Sequence, residues 1–183
     1  MPGEFADLIT QRLVLRRMCA ADAEVMFAYR SDPDVCRYQP WAPSELEEVR
    51  MFVEEMAAIE PDQTGTWFQM AITLKSGRLI GDVGLHFPKT HERQVETGIS
   101  LAFEFQHRGY ATEAMEAVLE YAFGALAKHR VFATIDPRNL PSIRMVERLG
   151  MRKEAHFRQS VWFKGEWADD LVYALLRSEW LAR

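Results

Sequence analysis

The residues best suited to chemistry lie in the run Gln106–Ala114, between a predicted strand and a helix expected to begin at about Ala111. The first N–H groups of a helix lack intrahelical partners and carry the positive end of its dipole, so a pyrophosphate placed there satisfies several donors. Gly109 lets the backbone approach such a ligand closely, Arg108 adds a cation and Thr112 offers a hydroxyl. A loop that merely needs glycine to enter a helix is the alternative.

The same loop argues against two other classes of phosphate-binding protein. It is neither the GxGxxG of a dinucleotide fold nor the GxxxxGK(S/T) of a P-loop. Hydride transfer and nucleotide hydrolysis therefore lose support.

Composition and charge narrow the class of protein further. With 48% hydrophobic and 27% charged residues, residues 1–183 fit one soluble domain, and no apolar run reaches the roughly 18 residues of a membrane helix. A net charge of −5 disfavours a nucleic-acid partner and mildly favours a cationic one. Two cysteines, Cys19 and Cys36, lack metal-ligand spacing, and the acidic N-terminus does not resemble a secretion signal. We therefore expect a cytoplasmic protein without a metal.

Hydrophobic periodicity predicts the elements that position the loop. Period-two alternation in Trp67–Leu74 and Gln94–Phe103, β-branched residues and turn signals together predict seven strands: Leu13–Arg17, Trp67–Leu74, Leu79–Phe87, Gln94–Phe103, Val131–Ile135, Arg152–Trp162 and Trp167–Leu176. Helical spacing predicts four helices: Ala21–Arg30, one opening at Ser44, Ala111–Ala127 and Asn139–Leu149. Ser44 and Glu47 have the spacing of a capping box, and Gly150 stands where a C-cap glycine is typical. The order predicts an α/β (mixed α+β) sheet, with one parallel β-α-β crossover and helices on both faces.

Several motifs in sequence carry a resemblance to a known family. Gln106-x-x-Gly109-x-Ala111 is similar to the Q/R-x-x-G-x-G/A acetyl-CoA signature of the GNAT acetyltransferases, and Arg108–Ala114 resembles their RimJ/RimL-like branch, which acetylates ribosomal-protein N-termini. Further matches are Thr10–Arg16, Asn139-x-x-Ser142, Leu149-Gly150-Met151, Gly165-Glu166-Trp167-x-Asp169 and Tyr173–Trp180. The resemblance spans nearly the whole chain, and it implies the GNAT fold, a mostly antiparallel sheet of six to seven strands.

The resemblance also implies acetyl-CoA as co-substrate, bound between the strand ending at Phe103 and the strand Val131–Ile135. Backbone groups of Ile99 and Leu101 would pair with pantetheine, as an added strand does. The pyrophosphate would meet Gln106 and the amides of Arg108, Gly109, Tyr110, Ala111 and Thr112. Asn139 carries over as a cofactor contact, and Ser142 lies one turn beyond it on the same helix face. An ordinary N-cap is the alternative for Asn139.

Acyl transfer to an amine requires a base, a stabilised oxyanion and release of a thiolate. Glu96 is the first candidate for the base, with Asp82 on the neighbouring strand in reserve, although Glu96 can equally pair with an arginine or face solvent. His86 is a further possibility, but an isolated strand histidine is more often structural. The family's usual general acid, a tyrosine, corresponds here to Val146. Ser142 is the substitute candidate for protonating the thiolate, and a water, or no acid at all, is the alternative.

Aromatic residues mark the expected acceptor side. In the GNAT fold the loop that carries Trp41 borders the acceptor, where cation–π attraction would favour a cationic amine. Core packing or a dimer contact is the alternative for this ring. The expected reaction is acetyl transfer to a primary amine of a small molecule or a peptide N-terminus. Succinyl-CoA as donor, or a non-catalytic acyl-CoA sensor, stays open. The last strands can mediate a homodimer.

Overall fold

The computed structural model describes residues 5–183 as helices packed on one eight-stranded sheet. The strands are β1 Leu8–Ile9, β2 Leu13–Arg17, β3 Trp67–Leu74, β4 Leu79–His86, β5 Gln94–Leu101, β6 Arg130–Ile135, β7 Arg152–Phe163 and β8 Glu166–Leu176. They lie in the order β1-β2-β3-β4-β5-β6-β8-β7, and only β5 and β6 are parallel. The predicted mixed sheet with one parallel crossover is confirmed, and the two-residue β1 adds a strand at one edge.

Helices cover both faces of the sheet, as predicted. They are α1 Ala23–Arg30, α2 Pro33–Cys36, α3 Leu46–Ala58, α4 Tyr110–Phe123, α5 Leu140–Arg148 and α6 Arg177–Leu181. Met70 and Ile72 pack in the core beneath α4 and α5, whereas Ala71 between them packs against α1 and α3, because successive strand side chains point to opposite faces. None of the helices in residues 5–183 is long and apolar enough to cross a membrane.

Three predicted boundaries or caps are wrong in detail. Ser44 does not cap α3: Glu45 is the N-cap residue, and Ser44 bonds through its hydroxyl and N–H to Glu48 rather than Glu47. The chain is still extended at Glu45, which places Ser44 one residue too early for a capping box. β5 ends at Leu101 because Phe103–Phe105 turns into a short 3-10 helix. α4 ends at Phe123, before the expected Ala127, since Gly124 leaves the helical region.

The parallel ladder between β5 and β6 is short, and this opens a gap in the sheet. Three residue pairs hold it: Gln94↔Arg130, Val95↔Val131 and Glu96↔Phe132. Beyond them β5 continues against β4, and β6 continues against β8. The amide of Ala102 donates to the Ile80 carbonyl on β4 at 2.9 Å. Alternation along the strand therefore turns the backbone groups of Ile99 and Leu101 away from β4, towards the gap.

Candidate active site

A cleft with two arms passes through the gap between β5 and β6. One arm, the loop arm, encloses about 610 Å³ beside residues 106–112, and the other, the aromatic arm, encloses about 510 Å³ beneath Trp41, Trp67 and Phe163. The arms share the lining residues Tyr38, Gln39, Ile99, Asn139, Ser142 and Met145. Ligands held in the two arms would therefore meet beside Ile99 and Ser142.

The two arms carry opposite charge. Within residues 5–183 the loop arm is lined by four arginines, Arg37, Arg138, Arg144 and Arg148, against one carboxylate, Asp34. Arg37 is paired with Asp34 and Arg138 with Asp136 and Glu166, whereas Arg144 and Arg148 have no ion-pair partner in those residues. The aromatic arm is lined by five carboxylates, Glu55, Glu96, Asp136, Asp169 and Asp170, against one arginine, Arg30, whose guanidinium is paired with a buried carboxylate. A cleft lined by one sign of charge concentrates ligands of the other sign. The loop arm therefore suits an anion and the aromatic arm a cation.

The loop before α4 has the backbone of an anion cradle. His107 (φ 59°) and Gly109 (φ 81°) are both left-handed, a conformation that helps to turn successive amides towards one point. Gly109 is the N-cap residue of α4, and the first amide bonded within the helix is that of Glu113, to the Gly109 carbonyl at 3.1 Å. The amides of residues 110–112 therefore have no partner within the helix. The positive φ makes glycine the favoured residue at position 109.

An ion pair between the segment before β2 and the first turn of α4 stabilises this loop. The Glu113 carboxylate accepts from the Thr10 hydroxyl (2.6 Å), the Arg12 amide (2.7 Å) and Arg12 Nε (2.6 Å), and Arg12 Nη1 donates to the Arg108 carbonyl (3.0 Å). Partial burial acts to raise the pKa of Glu113, but the hydrogen bonds from Thr10 and Arg12 outweigh it and the pKa is lowered. This ion pair was not predicted from the sequence, because its partners are about 100 residues apart.

The expected cofactor residues divide into two groups. Ile99, Leu101, Gln106, Gly109, Ala111, Thr112, Asn139 and Ser142 line the loop arm. Arg108 and Tyr110 do not line it, since the Tyr110 ring packs 4.4 Å from the Arg12 guanidinium. Gln106 also has a structural contact, because its Nε2 donates to the Leu101 carbonyl at 3.0 Å.

Asn139 and Ser142 sit together at the start of α5, where the arms join. Asn139 Oδ1 accepts from the Ser142 amide at 3.3 Å, so the N-cap interpretation of Asn139 is confirmed. Ser142 is half-buried, and its hydroxyl makes no hydrogen bond to residues 5–183. The hydroxyl is therefore available to a ligand. Val146, one turn further along, is buried beside Ser142 on the same helix.

Glu96 lines the aromatic arm at the point where the β5–β6 ladder ends. Its Oε1 accepts from the Thr134 hydroxyl at 3.0 Å, and its Oε2 lies 3.4 Å from Nδ1 of His86, its partner across β4. Thr134 on β6 faces Val172 on β8, and alternation places Asp136 and Asp170 on the same face of the sheet. Burial, followed by the charges of Asp136 and Glu96, raises the pKa of Asp170. By contrast, the hydrogen bond from Arg138 lowers the pKa of Asp136.

The two expected substrate residues have different places. Trp41 lines the aromatic arm and packs on Phe52 with ring centroids 4.6 Å apart. Asp82 does not line the arm: it is fully buried, and its carboxylate accepts from the Tyr29 hydroxyl (2.7 Å), Arg30 and Gln69. The structure therefore separates Asp82 from the cavity, because α1 covers the face of β4 that carries it.

Comparisons with known proteins show the family. The family model of the acetyltransferase (GNAT) domain matches residues 12–152. The uncharacterized N-acetyltransferase YnaD of Bacillus subtilis is 31% identical over 173 residues, which cover 94% of this chain and 98% of YnaD. The ribosomal protein uS5-alanine N-acetyltransferase of Escherichia coli is 30% identical over 83 residues, covering 45% of this chain and 43% of its own.

Solved structures extend the comparison to the fold. The crystal structure of a GNAT-family acetyltransferase from Bacillus anthracis superposes with a TM-score of 0.86 at 31% identity. The match covers 95% of this chain and all of the other one. On its sequence and on its fold, the chain belongs to the GNAT acetyltransferase family.

Proposed function

We propose that this protein transfers the acetyl group of acetyl-CoA to a primary amine by direct attack within a ternary complex. The observation that carries the proposal is the division of charge between the two arms. An anionic CoA derivative matches the arginine-lined loop arm, and an ammonium matches the carboxylate-lined aromatic arm. The reacting groups would meet where the arms join, beside Ile99 and Ser142.

The donor would use the loop arm in two ways. Its pyrophosphate would accept hydrogen bonds from the amides of residues 108–112, with the Thr112 hydroxyl nearby. Its pantetheine would pair with the backbone groups of Ile99 and Leu101 that face the gap, sharing the Leu101 carbonyl with Gln106 Nε2, and so fill the gap beside β5. Gln106 would support this strand by holding the Leu101 carbonyl, and Asn139 would contact the cofactor from α5. The donor's phosphates would then neutralise Arg144 and Arg148, since Arg37 and Arg138 already have carboxylate partners.

The acceptor would enter the aromatic arm with Trp41 against its cationic end. Glu96 would take a proton from the ammonium, directly or through water, and the free amine would attack the thioester carbonyl. Backbone N–H groups of β5 would stabilise the oxyanion. As the C–S bond breaks, the Ser142 hydroxyl would pass a proton to the thiolate. No covalent acyl-enzyme is needed, since the amine attacks the donor itself.

We further propose the RimJ/RimL-like branch for this chain, with small-molecule or peptide N-terminal amines as acceptors. The motif Arg108–Ala114 and the identity to the uS5-alanine enzyme over 83 residues support it. A cytoplasmic location is supported by the two unpaired cysteines.

A homodimer is also proposed, formed through the β7–β8 hairpin. β7 is an edge strand, and Phe157, Trp162 and Trp167 are more than half exposed on this hairpin. A row of exposed aromatic side chains beside a free strand edge favours association. Light scattering measures the molar mass in solution of the wild type and of the Trp162→Ser, Trp167→Ser variant. A wild type that is monomeric at all concentrations would refute the homodimer.

The decisive test mixes purified protein with acetyl-CoA or succinyl-CoA and a panel of amines and N-terminal peptides, and measures thiol release. Acetylation of an amine with preference for acetyl-CoA is expected. Faster turnover with succinyl-CoA would reassign the donor. Tight acyl-CoA binding without turnover across the panel would favour the sensor, and neither binding nor turnover would refute the proposal.

A further inference from the structure

One buried nitrogen beside the proposed base has no hydrogen-bond partner. His86 Nδ1 is enclosed and forms no hydrogen bond within residues 5–183, although Glu96 Oε2 is only 3.4 Å away. Buried polar atoms without partners are uncommon and call for an explanation. In apo structures catalytic hydrogen bonds are often long or poorly aligned and tighten when substrate binds. A contact of this kind between a carboxylate and an imidazole fits a site of proton exchange.

The proposed reaction needs such an exchange, because its protons do not balance within the cleft. An ammonium and acetyl-CoA give an amide, a free thiol and one proton. The N–C bond forms, the C–S bond breaks, and one of the two amine protons goes to the thiolate. The other reaches Glu96 and must leave before the next turnover.

The surroundings of Glu96 offer one route for that proton. Thr134 donates its hydroxyl to Oε1, so that oxygen already has a donor. Asp136 and Asp170 line the same arm as Glu96, whose side chain is 25% exposed, and a bound acceptor would occupy that arm. His86 lies against Oε2 on the other side, and its side chain is 29% exposed although Nδ1 is enclosed. Solvent therefore reaches the remainder of the imidazole ring.

We propose that His86 is the proton-relay residue of this site, carrying the proton from Glu96 to solvent. The inference rests on the proposed function, with Glu96 as its base. Nδ1 accepts the proton from Glu96 and Nε2 releases one to water, so the ring is neutral before and after. A 180° rotation of the ring about its Cβ–Cγ bond, which keeps the ring in the plane stacked on Trp67, then restores the starting tautomer.

Neighbouring groups hold the ring in place for this role. The indole of Trp67 stacks on it with centroids 5.0 Å apart and an interplanar angle of 20°. Trp67 faces the ring from β3 and carries no charge, while Glu96 faces it from β5. Stacking on the Trp67 indole therefore holds the His86 ring with its edge towards the Glu96 carboxylate.

The test uses two variants of the full chain, assayed for thiol release in weak buffer. His86→Phe keeps a ring on Trp67 but cannot carry a proton, so kcat should fall at least about tenfold, against the roughly 10²–10⁴-fold that a direct acid–base group contributes. His86→Ala leaves room for a small base, so added imidazole should restore kcat in a saturable way. His91→Ala, an exposed loop histidine outside the cleft, is the matched control and should behave as the wild type.

The outcomes separate this inference from the proposed function. A wild type that acetylates amines, with His86→Phe equally active or His86→Ala insensitive to imidazole, would overturn the relay alone. A wild type that transfers acetyl to no amine would overturn both. Rescue of His86→Ala and not of His86→Phe supports the relay, because a purely structural histidine would not respond to free imidazole.

Discussion

The buried Asp82 network allows a quantitative test of how α1 is fixed to the sheet. Asp82 is fully buried on β4, and its carboxylate accepts from Tyr29 and Arg30 on α1 and from Gln69 on β3. Arg30 is itself only 7% exposed. Burial and the Asp82 charge together raise the pKa of Tyr29 well above its ordinary value, so the tyrosine remains a donor.

Asp82→Asn removes the charge and leaves the Arg30 guanidinium buried without a counter-ion. Breaking a buried pair in this way typically costs about 3–5 kcal/mol. For a chain of this length that corresponds to a fall in Tm of roughly 6–20 °C. The matched control is Glu104→Gln in the exposed Arg78–Glu104 pair at 2.6 Å, where both side chains are 60% exposed. It should cost less than about 1 kcal/mol.

Urea unfolding followed by circular dichroism measures both losses, and a double variant checks the cause. The double variant Arg30→Met, Asp82→Leu removes both charges. Its loss of stability should be smaller than the sum of the losses of the Arg30→Met and Asp82→Leu single variants. The reasoning is refuted if the losses are additive, or if Asp82→Asn loses no more than the Glu104 control.

The same network has an expected effect on function. Arg30 and Gln69 line the aromatic arm, whereas neither lines the loop arm. Asp82→Asn should therefore raise KM for the amine acceptor more than KM for acetyl-CoA. Equal increases in both constants would show a general loss of structure rather than a displaced acceptor wall.

Other predictions concern the two arms. Gly109→Ala imposes left-handed strain of about 1–3 kcal/mol, so KM for acetyl-CoA should rise roughly tenfold; Gly77→Ala, at a similar φ outside the cleft, should cost stability without changing that KM. Ser142→Ala should lower kcat more than it changes acetyl-CoA affinity in steady-state assays, and an unchanged kcat would remove Ser142 from proton transfer. Because the pKa of Asp170 is raised, the native state holds its proton more tightly than the unfolded state, and stability falls as pH rises through that pKa. Asp170→Asn should therefore be more stable than the wild type at pH 7, by less than about 1 kcal/mol. Its higher Tm should fall to the wild-type value below about pH 4, and a Tm difference that stays constant over this pH range would contradict the raised pKa of Asp170.

Local patterns in the sequence predicted most elements because their physical causes are local. The alternation in Trp67–Leu74 and the helical spacing from Ala111 onwards reflect which side chains each element buries. The last two predicted strands are joined by a hairpin turn at Lys164-Gly165, where both residues have positive φ. The loop at residues 106–112 was located because an unpaired helix start is a local property.

Contacts between distant segments were not predictable in this way. Asp82 was predicted to lie in the cleft. The prediction was wrong because both faces of its strand are buried, and the sequence pattern of such a strand does not show which face lies next to a cavity. Its partner Arg30 lies 52 residues away. Lys164 donates to the Cys36 carbonyl at 2.6 Å, which ties the last hairpin to α2 across 128 residues. Such long-range pairs also decide which charged side chains line each arm, whereas the composition gives only the net charge of the chain.

The early end of the β5–β6 ladder has a consequence for kinetics. The backbone groups of Ile99 face the gap between β5 and β6, and Ile99 lines both arms, so this gap is part of the wall of the aromatic arm. A donor lying in that gap would complete the wall, so the amine site is fully formed only after the donor has bound. We therefore expect a compulsory order, with acetyl-CoA first and CoA released last. Product inhibition by CoA should then be competitive against acetyl-CoA and non-competitive against the amine.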